Sequence, residues 1–596
     1  MNNQRNIILA VVLSGLLLFG WDFAMRWFYP HQATNAAQQA EAEKPQPGAE
    51  VPPAKRTREG GLTDAGDIAL EEKDLASALK SPERVAIKAP GLSGSINLQG
   101  GAIDDLTLNR HRAHVDKDSD PVRLFSPAGT PAQHLAQFGW SGEAVAVPGP
   151  ATRWQVDHET LTPDQPVTLR WTNDAGQTFS ITYAIDNDYM ITATQTVANR
   201  GTAPIVIQPI AQLNRTDKTA STDTWNVHSG PFGAFDQAVS FGPNYKDVKE
   251  HRDGVIANDG VTNWIGFSDI YWMSALIPAA GERASSDFRS LGHNIYLADL
   301  FYRPQSVPAG KQASQVTKLF AGAKESKILD RYEASGIPKF GLAIDWGWFR
   351  WFERPIFLLL DKLFSLAGNF GVAIILLTLI IRGLMFPIAQ KQFASMAAMR
   401  AIQPKMKALQ ERYKDDKQKQ QQEIMALYKQ EGVNPLSGCL PLFLQIPIFF
   451  ALYKVLLLTI EMRHQPFALW IKDLSAPDPL HILNLFGLLP FDPPSFLGIG
   501  VLALLLGISM FLQFKLNPAA MDPTQQQIFM IMPWFMMFIM APFASGLLIY
   551  WITSNVLTIA QQWYLYRRHP QLKAQAEKDK AEMVRKKGQK DKGAGA

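Results

Sequence analysis

The run from Asn369 to Gln390 constrains this chain more than any other stretch, because it is apolar yet carries an arginine well inside. A helix needs about 20 apolar residues to cross a bilayer, and an arginine at its centre costs about 2.5–3.5 kcal/mol. At 1.5 Å per residue, Arg382 would lie roughly 10 Å from the end of a helix that stops near Ala389. Either Arg382 snorkels to the nearer interface, or it faces a hydrated cavity between helices. This run alone does not decide between the two.

Length and composition limit the classes of protein that remain. At 596 residues the chain is long enough for several domains, with a polar first half and an apolar second half. Its net charge of +4 gives no indication of nucleic-acid binding, and we expect no DNA partner. The one cysteine, Cys439, excludes an intramolecular disulfide and a metal site built from several thiolates. We expect no metal and no cofactor.

Hydrophobic segments and Lys/Arg-rich loops together predict six membrane spans with both termini in the cytoplasm. After a cytoplasmic N-terminus at 1–6, the first span at 7–28 runs into an aromatic belt instead of a small-residue cleavage site, which favours an uncleaved anchor over a signal peptide. A core of five spans follows at 369–389, 436–459, 496–514, 526–543 and 546–566. The connecting segments are an external loop at 460–495, a cytoplasmic loop at 515–525 and a basic cytoplasmic tail at 567–596.

The polar first half is predicted to lie outside the membrane. Residues 29–61 are rich in Ala, Gln, Glu and Pro and indicate a disordered tether. Residues 62–335 contain short alternating strands separated by turns, as in Val167–Trp171 and Phe179–Ile185, which is typical of a β-sandwich. The close pair His111 and His114 has no carboxylate placed near it by sequence, so a binding or bracing role is favoured over catalysis. We expect the chain not to be an enzyme.

Two further helical segments border the core spans. Residues 340–366 mix indole rings with charged residues, which favours an amphipathic helix in the membrane interface over a buried hinge helix under the sandwich. Residues 390–434 carry two narrow apolar stripes around a charged turn and predict an antiparallel helical hairpin on the cytoplasmic side. The hairpin's basic candidates are Lys405, Lys407, Arg412, Lys414 and Lys417.

Polar side chains recur inside the five clustered spans, whereas acidic ones do not. The polar candidates are Thr378, Arg382, Gln445, Thr553, Asn555, Gln561 and Gln562. Facing a shared cavity they would be hydrated, and an arginine without an acidic neighbour would be available to a transient negative partner. The span at 526–543 is rich in methionine, which indicates either an adaptable surface for client proteins or ordinary packing against lipid. Phosphate-loop, zinc-protease and serine-hydrolase motifs are missing from the sequence.

Several separated motifs, in order, closely resemble the YidC membrane protein insertases. They are Ile380–Pro387, Gln403–Lys405, Lys414–Gln418, Asn434–Pro441, Gln445–Phe449, Pro466–Ile471 and Ser545–Tyr550. The large domain after the first span is similar to the long form found in Gram-negative bacteria. The resemblance implies an inner-membrane insertase and chaperone with a periplasmic β-sandwich, working alone or beside the Sec translocon without nucleotide hydrolysis.

The resemblance also implies roles for particular residues. Arg382, Thr378, Tyr550 and Trp551 would line a hydrophilic groove. From the residues themselves we add Gln445 to that groove and expect a hydrophobic slide that includes Ile446, Met530, Met536 and Met537. Implied partners are nascent membrane proteins, membrane lipids, the Sec translocon, and the ribosome through the hairpin and basic tail. The sandwich would resemble the sugar-binding supersandwich of galactose mutarotases, but fold does not carry function. Two alternatives remain. The protein could be a transporter subunit with Arg382 as its anion site, or the sandwich could carry the function as a periplasmic binding module or sugar enzyme.

Overall fold

The computed structural model describes residues 57–80, 83–116, 118–222, 227–392, 402–414, 416–432, 440–486, 488–489, 498–516 and 523–568. The predicted anchor at 7–28, nearly all of the tether at 29–61 and nearly all of the tail at 567–596 lie outside these residues. The chain divides into two compact units, Met1–Asp345 and Trp346–Ala596.

The first unit is built almost entirely from strands. They are β1 Arg84–Lys88, β2 Leu92–Asn97, β3 Ile103–Arg112, β4 Pro121–Phe125, β5 His134–Gly142, β6 Gln155–Val156, β7 Thr160–Leu161, β8 Val167–Thr172, β9 Gln177–Ile185, β10 Met190–Asn199, β11 Ile205–Thr216, β12 Gly230–Phe235, β13 Ala238–Ser240, β14 Val255–Asn258, β15 Thr262–Ser268, β16 Trp272–Pro278, β17 Ala284–Gly292, β18 Ile295–Tyr302, β19 Gln305–Val307 and β20 Gln312–Ala323. Three helices accompany them: α1 Ala65–Ala78, α2 Tyr245–Glu250 and α3 Ser326–Ala334.

These strands form two large sheets. One has eleven strands in the order β14-β17-β18-β11-β5-β3-β2-β1-β7, with β19 paired to β11 and β4 to β3. The other has nine strands in the order β13-β12-β15-β16-β20-β10-β9-β8-β6. Neighbouring strands are antiparallel, except for the parallel pair β1 and β7. Hairpins such as β9–β10, with Ile185 opposite Ile191, follow the turns expected from the sequence.

The two sheets pack face to face through the side chains that alternate inward. In β9 every second residue is buried, as the period of a half-buried strand requires. Aromatic rings close the space between the sheets: Trp140 of β5 meets Phe179 of β9 at 5.2 Å between ring centroids, and Phe267 of β15 meets Phe288 of β17 at 6.4 Å. The first unit is therefore a β-sandwich.

A buried ion pair lies inside the sandwich. The Arg215 guanidinium on β11 donates to the Asp269 carboxylate at 2.5 Å, and both side chains are almost fully buried. The second carboxylate oxygen accepts hydrogen bonds from the Ser221 amide at 2.9 Å and the Ser229 hydroxyl at 3.0 Å. With its oxygens satisfied in this way, the carboxylate anchors β11 and the segment after it to the β15–β16 turn.

None of the three helices of this unit was predicted from the sequence. Helix α1 lies in the segment assigned to strands, and its N-cap is Asp64, whose side chain accepts from the amides of Gly66 and Asp67. Helix α3 follows the last strand. A side-chain cap therefore starts α1 near the beginning of the predicted 62–335 segment. Helix α3, near its end, begins without a side-chain cap.

The second unit is helical. Its helices are α4 Arg350–Ala367, α5 Phe370–Leu384, α6 Phe386–Gln392, α7 Gln403–Arg412, α8 Lys417–Gln430, α9 Leu440–Leu458, α10 Val501–Leu516, α11 Pro523–Met540 and α12 Ser545–Arg568. Helix α4 is shorter than the predicted 340–366, because two 3₁₀ turns at Phe340–Ala343 and Gly347–Phe349 occupy the first part of that segment. Gly347, at φ 62°, begins the second turn. The segment ends at Gly368 in the left-handed conformation, and Asn369 then caps α5 by accepting from the Val372 amide.

Helix lengths differ from the predicted spans. Helix α5 ends at Leu384, earlier than the predicted 389, and α6 continues after a bend of 55°. The length and apolarity needed for a membrane crossing are not met by any one helix of the described chain, although α5 and α6 meet them as a bent pair.

One carboxylate organises the loop that precedes α10. Buried Asp478 accepts hydrogen bonds from the Trp470 indole nitrogen at 2.9 Å, the Leu480 amide at 3.0 Å and the Leu502 amide at 2.7 Å. A Cβ on Gly500 would lie 2.6 Å from the Asp478 Cβ, so only glycine fits beside it. Asp478 thus fixes the loop against the first turn of α10.

Candidate functional site

Arg382 lies near the end of α5 and is held against α12. Its Nε donates to the Ser554 hydroxyl oxygen at 3.0 Å, and one terminal nitrogen donates to the same oxygen. The Arg382 carbonyl oxygen accepts a hydrogen bond from the Gln561 side-chain amide at 3.3 Å. Gln561 lies about two turns after Ser554 on α12. Helix α12 therefore contacts Arg382 at both its side chain and its backbone.

Arg382 has no acidic partner among the described residues. The guanidinium is half-buried, and no described carboxylate lies within ion-pair distance of it. A guanidinium has five N–H donors, and Ser554 accepts two of them. The remaining three find no acceptor in the described part of the chain. This leaves a positive group with donors available to an anion.

Thr378, one turn before Arg382, does not offer its hydroxyl to a cavity. The side chain is only 1% exposed, and the hydroxyl donates to the Ile374 carbonyl at 2.6 Å. A buried threonine on a helix finds its nearest acceptor one turn back, which explains the difference from the prediction. Thr378 lies on the Arg382 helix without joining its hydrogen bonds.

Gln445 and Tyr550 are brought together between α9 and α12. The Gln445 amide nitrogen donates to the Tyr550 hydroxyl at 2.6 Å, and Tyr550 is buried. Trp551 packs edge-on against Phe449 at 5.1 Å between ring centroids. The helix α9 face that carries Gln445 and Phe449 thus meets the α12 turn that carries both aromatic residues.

Ser554 and Ser509 are polar partners that the sequence analysis missed. Buried Asn555 donates to the Ser509 hydroxyl of α10 at 2.9 Å, so adjacent residues of α12 bond to different helices. The available signal was the placement of Ser554 one turn after Tyr550 and two turns before Gln561, on one helix face.

The candidate hydrophobic slide is only partly exposed. Ile446 and Met530 are exposed and Met536 is half-buried, whereas Met537 is buried. A Cβ on Gly507 would lie 3.4 Å from the Met537 Cβ, so this methionine packs against α10. Met537 is therefore not on the helix surface as predicted. The exposed face of α11 instead carries Ile531, Phe535, Phe538 and Ile539.

The candidate hairpin is formed by α7 and α8. Lys405 pairs with Glu431 at 2.6 Å, and the Tyr428 hydroxyl donates to the Met406 sulfur at 3.1 Å. Arg412 and Lys414 are exposed, while the side chains of Lys407 and Lys417 lie outside the described residues. The hairpin therefore presents cations to solvent, one of which is already neutralised by Glu431.

In the sandwich, the fold supplies a carboxylate that the sequence did not place beside His111. The His111 Nε2 lies 3.1 Å from the Glu325 carboxylate, which also accepts from the Tyr189 hydroxyl. Burial raises the pKa of Glu325, but the hydrogen bonds from His111 and Tyr189 outweigh burial and hold that pKa below its usual value. His114 is exposed and takes no part. Glu325 is therefore an ionised brace between β3, β10 and α3.

Two family models match successive parts of the chain. The model described as YidC periplasmic domain matches residues 84–359, and the model described as 60Kd inner membrane protein matches residues 362–573. The Membrane protein insertase YidC of Zymomonas mobilis subsp. mobilis is 46% identical over 95% of this chain and 96% of its own. That of Bradyrhizobium diazoefficiens is 41% identical over 96% of this chain and 97% of its own.

A solved structure described as an active YidC insertase with its first transmembrane domain resolved covers 81% of this chain and 93% of its own, at 18% identity and a TM-score of 0.36. The fold and the sequence matches define the class of protein: an inner-membrane protein with a periplasmic domain rich in β-sheets. Within that class, the chain belongs to the YidC family of membrane protein insertases.

Proposed function

We propose that this protein inserts hydrophobic segments of nascent membrane proteins into the inner membrane, and helps them fold, through a polar groove at Arg382 and without nucleotide hydrolysis. The observation that carries the proposal is the half-buried guanidinium of Arg382, which has a neutral hydroxyl as its side-chain partner and no carboxylate within reach in the described chain. A cation left in that state attracts a negative group of a passing polypeptide.

The proposal includes a topology. An anchor at 7–28 and a core of five spans enclose the groove, both termini face the cytoplasm, and the β-sandwich faces the periplasm. The excess of Lys and Arg in the hairpin and the tail supports this orientation, because cytoplasmic loops carry such an excess. We assign the five core spans to α5 with α6, and to α9, α10, α11 and α12.

Capture of the client is the first step. The exposed cations of the hairpin, such as Arg412 and Lys414, meet the nascent chain, and together with the basic tail they contact the phosphate backbone of ribosomal RNA. The Sec translocon is a further partner for clients with several spans. These contacts deliver the client to the cytoplasmic end of the groove.

Transfer of the polar part is the second step. The client's short external region enters the groove, where its acidic residues exchange water for the free N–H donors of Arg382. Because a low dielectric strengthens the attraction, the partly buried arginine lowers the cost of moving a carboxylate through the bilayer. The charge is then released on the periplasmic side.

Partition of the apolar segment is the last step. The segment moves along the exposed faces of α9 and α11, which carry Ile446, Met530 and Phe535. Methionine adapts its shape to many partners, which suits a surface that accepts varied clients. Burial in lipid returns about 0.8 kcal/mol for each CH₂ group, and this transfer drives insertion.

The test uses purified protein in liposomes and two single-span clients that differ only in two translocated residues, Asp in one and Asn in the other. Arg382→Ala should slow insertion of the acidic client about tenfold and leave the neutral client within about twofold, as expected for one lost charge contact. Arg382→Lys is the matched control, since it keeps the charge. Equal insertion of both clients by Arg382→Ala would refute the electrostatic role, and anion flux without client insertion would make the protein a transporter.

A further inference from the structure

Ser554 is the one described side chain that forms a hydrogen bond with the guanidinium of Arg382, and it does so from the neighbouring helix α12. Its side chain is 1% exposed, so water does not compete for the hydroxyl. The residues Arg382 and Ser554 are 172 positions apart in the chain. Their contact therefore depends on the packing of α5 against α12.

A second contact from the same helix face fixes the backbone of Arg382. Gln561 lies about two turns after Ser554 and donates to the Arg382 carbonyl oxygen at 3.3 Å. This carbonyl belongs to the last turn of α5, where main-chain acceptors lack helical partners. With the side chain and the carbonyl both held, Arg382 has little freedom to rotate away from α12.

We propose that Ser554 is a positioning residue for insertion: its hydroxyl holds one edge of the Arg382 guanidinium against α12, so that the opposite edge points its free N–H donors at a carboxylate of the client. The proposal rests on the function proposed above for Arg382. Ser554 itself makes no contact with the client. It acts by removing the rotameric freedom that a free arginine would lose on binding.

The chemistry of the partner explains why a serine suits this place. A carboxylate would pair with the guanidinium and leave the client without a cation, whereas an apolar residue would release the side chain to other rotamers. A hydroxyl accepts hydrogen bonds and leaves the positive charge uncompensated. Ser554 therefore orients the arginine without neutralising it.

The experiment uses the full chain in liposomes and the Asp and Asn clients defined above. Ser554→Ala should slow insertion of the acidic client about fivefold and leave the neutral client within about twofold, because one charge-assisted hydrogen bond is lost. Ser554→Thr keeps the hydroxyl and should restore the preference for the acidic client. In an Arg382→Ala background, Ser554→Ala should have no further effect on either client.

Ser509→Ala is the matched control. It makes the same chemical change in the same unit and removes the acceptor of Asn555, which is adjacent to Ser554 on α12. It should reduce thermal stability as Ser554→Ala does, while the ratio of acidic to neutral insertion stays at the wild-type value. Thermal unfolding of all variants in detergent separates a loss of fold from a loss of positioning.

The outcomes separate this inference from the function on which it rests. If Arg382→Ala abolishes the preference for the acidic client but Ser554→Ala keeps it, Ser554 has no positioning role, and the function proposed for Arg382 is retained. If Arg382→Ala keeps the preference, the proposed function fails as well. An equal loss for both clients in Ser554→Ala, matched by Ser509→Ala, would make Ser554 a packing residue and overturn the inference.

Discussion

The Gln445 amide nitrogen on α9 donates a 2.6 Å hydrogen bond to the hydroxyl of buried Tyr550 on α12. The bond ties the helix that carries Ile446 to the helix that positions Arg382. Because a buried hydroxyl that loses its partner keeps its desolvation cost, the two side chains are expected to be energetically coupled.

A double-mutant cycle measures that coupling. Gln445→Leu leaves the Tyr550 hydroxyl unpaired and should cost about 1–3 kcal/mol of unfolding free energy, whereas Tyr550→Phe should cost about 0.5–1.5 kcal/mol. The double variant should be more stable than the sum of the two losses indicates. Urea unfolding in detergent gives the three values, and strictly additive losses would show that the bond contributes nothing.

Two glycines of α5 are expected to respond to alanine in opposite directions. At Gly371 a Cβ would lie 2.0 Å from the Phe467 ring, so Gly371→Ala should lower stability by about 1–3 kcal/mol. At Gly383 a Cβ would meet no atom of the described residues within 4 Å, so Gly383→Ala should raise stability by up to about 1 kcal/mol through helix propensity. Unfolding in detergent compares the pair. A stable Gly371→Ala variant would mean that Phe467 moves aside without cost.

The Arg215–Asp269 pair should be a sensitive point of the sandwich. Asp269→Asn leaves a buried guanidinium uncompensated and should cost about 3–5 kcal/mol. The exposed pair of Glu83 and Arg153 provides the control, and Glu83→Gln should cost less than about 1 kcal/mol. β-sheet circular dichroism during urea unfolding reports both values. Similar losses in the two variants would contradict the role assigned to burial.

The stability of the sandwich should depend on the ionisation of Asp299. Burial raises the pKa of its carboxyl from 3.8 to about 7; the Gln212 amide opposes this shift and the neighbouring Asp287 carboxylate adds to it. The folded state thus keeps a proton that the unfolded chain releases above its ordinary pKa. This contribution to stability is fully present below pH 3.8 and is lost as the pH rises through about 7.

Asp299→Asn removes that titration and provides the check. In wild type the urea midpoint of the sandwich should fall between about pH 5 and about pH 8, and in the variant it should fall less. Circular dichroism at several pH values gives the midpoints of both proteins. Parallel curves for the two proteins would show that Asp299 is not the titrating group.

Local patterns predicted the strands well, because they depend on neighbours in sequence. The alternation in Phe179–Ile185 and the turns beside it indicated paired strands, and the structure has a hairpin there. Helix α1 was missed because its Asp64 cap lies in a polar stretch without a strong period. The end of α5 was placed too late because composition continues to be apolar beyond the bend after Leu384.

The candidate site shows why contacts between helices were harder to predict. Arg382 stood out because a charge in an apolar run is rare, and Tyr550 was indicated by family resemblance. Ser554 is neither charged nor part of a family motif, and its place on the helix face of Tyr550 and Gln561 does not reveal its partner, because that contact depends on α5 and α12 lying side by side. Met537 was misplaced for a related reason: composition identifies a methionine-rich helix, whereas only packing against Gly507 shows which methionines are covered.

The three hydrogen bonds of Asp478 have a mechanical consequence. A single carboxylate sets the register between the loop that contains Trp470 and the first turn of α10 at Leu502. Sliding of the helix by one residue would break the Leu502 bond, whereas the Trp470 and Leu480 bonds hold Asp478 in the loop, so this carboxylate couples the loop to the helix. A force on α10 would therefore be transmitted directly to the loop that contains Trp470.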